Sequence, residues 1–189
     1  MEFRDTVAAR HSIRDFADAP VSREVLARVI DAARLAPSSA NLQPWRFLVV
    51  QGEPRRRLGE VIAQSTIHLA EYMEMLGSQR YEAAVSWYSS LGNAPVLIMV
   101  SAPVTTVEFE SLNRNLSLGA AMENLLLAAT DEGLGACNVT FSHWVKDELA
   151  KELGIPDTDE IVSIIALGVA SDVPPASPEV KPDDTVWIG

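Results

Sequence analysis

The apolar positions of the chain change period several times, and those changes divide it into elements. Residues 2–10 carry a short helical pattern. Val25, Leu26, Val29, Ile30 and Ala33 recur at the spacing of an amphipathic helix over 23–35. Ser22 is placed to cap that helix, Glu24 favours its first turn, and Pro37 stops it. Arg46-Phe47-Leu48-Val49-Val50-Gln51 reads as a short strand, and Glu53 or Pro54 opens a helix running to about Gln64. Ala94 to Val100 and Ile161 to Ala170 are near-continuous apolar runs of the kind buried strands carry, and Ala136 to Phe141 is a shorter strand. Between them, Leu116 to Ala129 is apolar or small on nearly every side, which predicts a helix central to the core or to an interface, with Gly133 at its stop. Lys146 to Leu153 predicts a short helix ended by Gly154-Ile155-Pro156.

Two stretches have a weaker pattern. Residues 65–92 predict two helices, near 66–76 and 79–90, broken at Gly77-Ser78. Tyr72, Met73, Met75, Tyr81, Trp87 and Tyr88 enrich this region in methionine and aromatic side chains. Core packing and a mobile substrate-covering element account equally for that content. The proline-rich tail, 172–189, has no periodicity; it is either disordered or an extended arm docked on something, and Trp187-Ile188 favours docking. Helices interspersed with about four strands predict a three-layer arrangement of α and β elements in one domain, 1–189.

Composition narrows the partners. The chain has a net charge of −11, which repels phosphate backbones and anionic lipid, so neither nucleic acid nor a membrane is expected to bind it. No apolar run reaches the length of a membrane span, and the charged start Met1-Glu2-Phe3-Arg4-Asp5 lacks a signal core. Cys137 is the one cysteine, which excludes an intramolecular disulfide and agrees with a cytoplasmic setting.

Against this acidic background one basic stretch stands out: Arg10-His11-Ser12-Ile13-Arg14-Asp15-Phe16. Arginine grips phosphate or carboxylate bidentately, and a helical turn would bring Arg10 and Arg14 to one face. The run Arg55-Arg56-Arg57 has no aromatic or glycine-rich company and reads as a solvated helix face. No Gly-x-Gly-x-x-Gly, Walker-type or Gly-x-Ser-x-Gly motif is present, and His11, His68 and His143 form no metal-binding array. Cys137, among small and apolar neighbours, reads as a buried strand residue. No catalytic side chain and no metal ligand is expected. Any demanding chemistry has to come from a bound cofactor.

A second segment, Pro37-Ser38-Ser39-Ala40-Asn41-Leu42-Gln43-Pro44-Trp45, lies one amphipathic helix downstream of the basic stretch. Together, Arg10-His11-Ser12-Ile13-Arg14 and 37–45 resemble the flavin-binding signature of the nitroreductase family. Ala94-Pro95-Val96-Leu97-Ile98 resembles that family's central strand, and Ser117 to Ala129 its long core helix. Gly133-Leu134-Gly135-Ala136-Cys137, Leu153-Gly154-Ile155-Pro156 and Ile165-Ala166-Leu167-Gly168 follow in the family's order. The resemblance covers 1–60 and 94–182 well and 65–92 poorly.

The resemblance implies an α+β fold, a three-layer structure whose mixed central sheet of about four or five strands is flanked by helices. It implies an obligate homodimer with FMN at the interface. Arg10 and Ser12 would hold the FMN phosphate and ribityl chain, with His11 beside them and Arg14 near the pyrimidine end of the ring. Pro37, Ser38, Ser39 and Asn41 would come from the partner copy, with Gln43 supporting that loop. Thr140 and Phe141 fall where the family places a backbone N–H against flavin N5, and Lys181 where a C-terminal basic residue reaches the phosphate. The implied activity is hydride transfer from NADH or NADPH to flavin N5, then to an electron-poor acceptor such as a nitroaromatic or quinone, with ping-pong kinetics. The alternatives on the same fold are dehalogenation, ring oxidation, flavin degradation, or flavin binding without catalysis. Two positions depart from the family: Asp183 stands where a second basic residue is frequent, and Asn138 where tryptophan is.

Overall fold

The computed structural model describes residues 1–68, 78–171 and 185–188. Its helices are α1 (Phe3–Ala9), α2 (Arg23–Arg34), α3 (Gly52–Gln64), α4 (Ser78–Ser90), α5 (Glu108–Asp131) and α6 (Lys146–Leu153). Its strands are β1 (Arg46–Gln51), β2 (Val96–Pro103), β3 (Gly135–Val139) and β4 (Asp159–Gly168). They form one sheet in the order β1-β2-β4-β3. Every ladder between these strands is antiparallel. The parallel pairing expected of a mixed sheet is confined to one bridge, Ser12 to Ala136. The reason is local: residues 12–13 run alongside β3 as an added edge segment and leave it after one bridge.

The two central strands are apolar on both faces because helices cover both. On one face α2 and α5 pack against Val96, Ile98, Val100, Ile165 and Leu167. On the other, α3, α4 and α6 bring Leu58, Ile62, Trp87, Tyr88 and Leu149 against Leu97, Met99, Ile164 and Ala166. Each fully buried leucine or isoleucine here stabilises the fold by about 2 kcal/mol. Ser22 caps α2 as its position predicts, its hydroxyl accepting from Val25 N at 3.3 Å.

Two expectations need correction. The long helix begins at Glu108, two turns before Leu116. Its added turns look like a polar loop because their apolar stripe of Phe109, Leu112 and Leu116 faces outward, Phe109 being 70% exposed. Arg55 is no solvated arginine: its Nε donates to Ala94 O at 2.7 Å and its Nη2 to Ser90 O at 2.8 Å, tying α3 to the end of α4. Burial lowers its pKa. Only Arg56 and Arg57 of that run pair at the surface, with Glu53, Glu60 and Glu152. The tail residues Val186, Trp187 and Ile188 are exposed, and 172–184 lies outside the described residues. The predicted helix over 66–76 lies mostly outside the described residues, as does Lys181.

Candidate functional site

The basic stretch is an extended segment pinned across the ends of β3 and β4. Ile13 N donates to Ala136 O at 3.0 Å, Phe16 N to Gly92 O at 3.0 Å and Ala17 N to Val169 O at 2.9 Å, while Asp15 O accepts from Ser171 N at 3.1 Å. Phe16 is buried and anchors the segment in the core. Pinning the main chain in this way leaves the side chains of Ser12 and Arg14 facing outward.

Each candidate side chain in this stretch has bonding capacity to spare. Arg10 Nε lies 3.1 Å from Glu123 Oε1 on α5, a half-exposed carboxylate. His11 Nδ1 is 2.6 Å from Ala9 O. A carbonyl only accepts, so Nδ1 carries a proton and donates to it. That Nε2 is buried without a partner. Arg14 Nη1 reaches only Ser12 O, at 3.4 Å. Two guanidiniums and a hydroxyl as donors, with an unpartnered imidazole nitrogen beside them, fit a phosphate with a polyhydroxyl chain.

The second segment is built differently. A 3-10 turn spans Ser39–Asn41, and Ala40, Asn41 and Gln43 all have positive φ, at 48°, 55° and 47°. Three non-glycine residues in the left-handed region persist only where surrounding bonds over-determine them. Here Gln43 N donates to Ser38 Oγ at 3.0 Å and Gln43 Nε2 to Asn41 Oδ1 at 3.0 Å. Ser39 N donates to Ser117 Oγ on α5 at 3.2 Å, and Ser117 in turn donates to Asn113 O at 2.7 Å. Ser117 is 5% exposed and lay outside the sequence-derived site. Its only sequence signal was a polar residue in an apolar helix.

No hydrogen bond or ion pair joins the two segments among the described residues. Each is fastened to α5, one at Glu123 and the other at Ser117. Six residues of helix separate these points by about 9 Å along the axis and about a third of a turn around it.

Thr140 precedes a 3-10 turn, Phe141–Val145, at the end of β3. The Phe141 ring lies 5.0 Å from that of Tyr88. Burial raises the Tyr88 phenol above its usual range, Cys137 adds to that, and the Arg14 guanidinium opposes it. Burial likewise raises the Cys137 thiol, in keeping with a strand residue and not a nucleophile. Tyr88 therefore links Arg14 with Phe141. It comes from the stretch with the weakest sequence pattern, whose aromatic content was the one signal available. Asn138, exposed on β3, accepts at its Oδ1 from buried Ser163. Among the described residues no cluster suited to a metal is present, and no helix is long and apolar enough to cross a membrane.

A family model described as "Nitroreductase family" matches residues 7–169. The chain is 30% identical to a 4-nitrobenzoate reductase of Pseudomonas putida, over 90% of this chain and 86% of the relative. A solved nitroreductase with bound FMN from Desulfitobacterium hafniense superposes with a TM-score of 0.80 at 25% identity, covering 100% of this chain and 99% of that one. A BluB-like flavoprotein from Clostridium difficile 630 superposes with a TM-score of 0.78 at 28% identity, with 100% of both chains covered.

Proposed function

The chain belongs to the nitroreductase family, and from that premise we propose that it is an FMN-dependent, NAD(P)H-oxidising reductase of electron-poor acceptors, working as a homodimer. The observation that carries this reading is the clustering along 10–14 of two guanidiniums, Arg10 and Arg14, the Ser12 hydroxyl and the unpartnered Nε2 of His11. Arg10 and Ser12 take the phosphate and ribityl chain, and His11 Nε2 accepts from a hydroxyl of that chain. Arg14 faces the pyrimidine end of the ring, where a cation offsets the negative charge that gathers on reduction. Lys181, in the tail, is a second cation for the phosphate.

A second copy completes the site. Pro37, Ser38, Ser39 and Asn41, with Gln43 bracing their loop, belong to the flavin of the other subunit; that they and 10–14 are fastened to different points of α5, at Ser117 and Glu123, supports this. The exposed stripe of Phe109, Leu112 and Leu116, next to exposed Leu42 and Val104, supports pairing through α5. Thr140 and Phe141 offer a backbone N–H and an aromatic edge at the ring. Bound FMN would supply the redox chemistry, hydride exchange between NADH or NADPH and an electron-poor acceptor such as a nitroaromatic or quinone. No protein acid or base is required.

The test is the visible spectrum of the purified protein before and after NADH or NADPH, followed by steady-state oxidation of the nicotinamide with nitro and quinone acceptors. A yellow dimer bleached by nicotinamide and recoloured by acceptor is expected. A chain that takes up no FMN, or whose flavin no nicotinamide reduces, overturns the reading.

A further inference from the structure

Trp87 stands near the end of α4, outside both motif segments, and its indole Nε1–H donates to the main-chain oxygen of Arg14 at 2.6 Å. An indole has a single polar atom, and it can only donate. It is spent on the carbonyl of the one residue in this stretch whose guanidinium is largely exposed. The same carbonyl lies against Gly92, where a Cβ would come within 1.9 Å of Arg14 O. Two residues on, Phe16 N returns to Gly92 O at 3.0 Å. Among the described residues the guanidinium has only the long contact to Ser12 O, so what the fold fixes is the main chain from which the side chain starts.

The indole is itself well braced. Its ring meets Tyr88 edge-on at 5.0 Å, and Tyr88 rests on Phe141 at 5.0 Å. Phe141 approaches Trp144 at 6.5 Å, and Trp144 stacks on His68 at 4.9 Å. The aromatic content of 65–92 thus has a use beyond filling the core or covering substrate: it carries a hydrogen-bond donor to the back of the basic segment.

We propose that Trp87 is a positioning residue of the cofactor site: its N–H fixes the Arg14 main chain so that the guanidinium meets the pyrimidine edge of the flavin, which holds up the reduction potential of the bound ring. This rests on the reading that the chain binds FMN with Arg14 at that edge. A purely structural tryptophan would affect stability and leave the potential alone.

The experiment is a reductive titration of the FMN-loaded protein in four forms: unmodified, Trp87→Phe, Arg14→Gln and the double variant. Trp87→Phe is expected to lower the midpoint potential by about 30 mV, the equivalent of a tenfold loss in preference for the reduced ring in a two-electron couple. Arg14→Gln lowers it at least as far, and adding Trp87→Phe to it lowers it no further, because the two act through one contact. The ratio of FMN to riboflavin affinity stays unchanged in Trp87→Phe, since the phosphate is held by Arg10. Trp87→His, which retains a ring N–H, recovers part of the potential.

If Trp87→Phe fails to fold, site-specific benzothienylalanine at position 87 removes the N–H within the same ring shape and gives the same readouts. A potential unmoved by Trp87→Phe while Arg14→Gln lowers it overturns this inference alone, as does full additivity of the two. A chain that binds no FMN, or a potential insensitive to Arg14→Gln, overturns the inference together with the placement of Arg14 beneath it.

Discussion

Residues 10–16 are clamped by main-chain hydrogen bonds to β3, to the turn at Gly92 and to the end of β4, whereas residues 37–45 hang on hydroxyl and amide side chains. The first segment is an extension of the sheet, and its geometry is as stable as the core behind it. The second is a strained turn on the outside of α5, with Asn41 and Gln43 exposed. One is a scaffold for gripping charge. The other presents backbone groups to a surface that its own chain does not provide. A site shared between two copies needs both kinds: a rigid anchor, and a lip shaped before its partner arrives.

The contrast can be broken most severely at Gly92. Its φ of +59° and the 1.9 Å approach of a Cβ to Arg14 O make Gly92→Ala a combined strain and clash. A loss of about 3 kcal/mol or more is expected in denaturant unfolding. Gly133→Ala, with φ +75° but nothing within 4 Å, is expected to cost about 1 kcal/mol. Equal losses would mean that the clamp on 10–16 matters no more than an ordinary turn.

Arg10→Ala comes next. Losing a charge-assisted contact of about 1.5–3 kcal/mol weakens FMN binding by roughly 10- to 100-fold. Riboflavin affinity should be unaffected, and fluorescence titration of the two flavins reads both. Arg56→Ala, at an exposed pair with Glu53 and Glu60, serves as the control with no expected effect. A smaller effect is expected at the looser segment. Ser117→Ala leaves Ser39 N without its acceptor and should weaken FMN binding by about 3- to 10-fold, with a stability loss of about 1 kcal/mol. Should Ser117→Ala exceed Arg10→Ala in its effect on FMN, the ranking of anchor above lip is reversed.

Much of the architecture is visible in local pattern. The strands at 46–51, 94–100 and 161–170 and the helix at 23–35 lie where apolar spacing and caps place them. The basic stretch and the serine-rich loop were both recognisable as residue types. Arg55 was not legible, because a guanidinium looks alike in sequence whether it is solvated or bound to Ser90 O and Ala94 O. The first turns of α5 were missed because an apolar stripe facing away from the core interrupts the expected inward pattern. Trp87 and Tyr88 could be read only as apolar bulk. Their relation to Arg14 spans more than seventy residues and exists only once α4 packs beneath the sheet.

By itself, then, the sequence determined the elements, the acidic balance with a basic stretch at 10–14, and the residue types available to hold an anion. Those properties depend on spacing and chemistry within a few residues. The tertiary structure alone decided which way those residues face and what holds them. It spent Arg55 on α4, fastened the two motif segments to different sides of one helix, and set an indole behind Arg14. Each of these is a long-range contact, chosen by packing among chain segments that local pattern leaves free to meet in many ways.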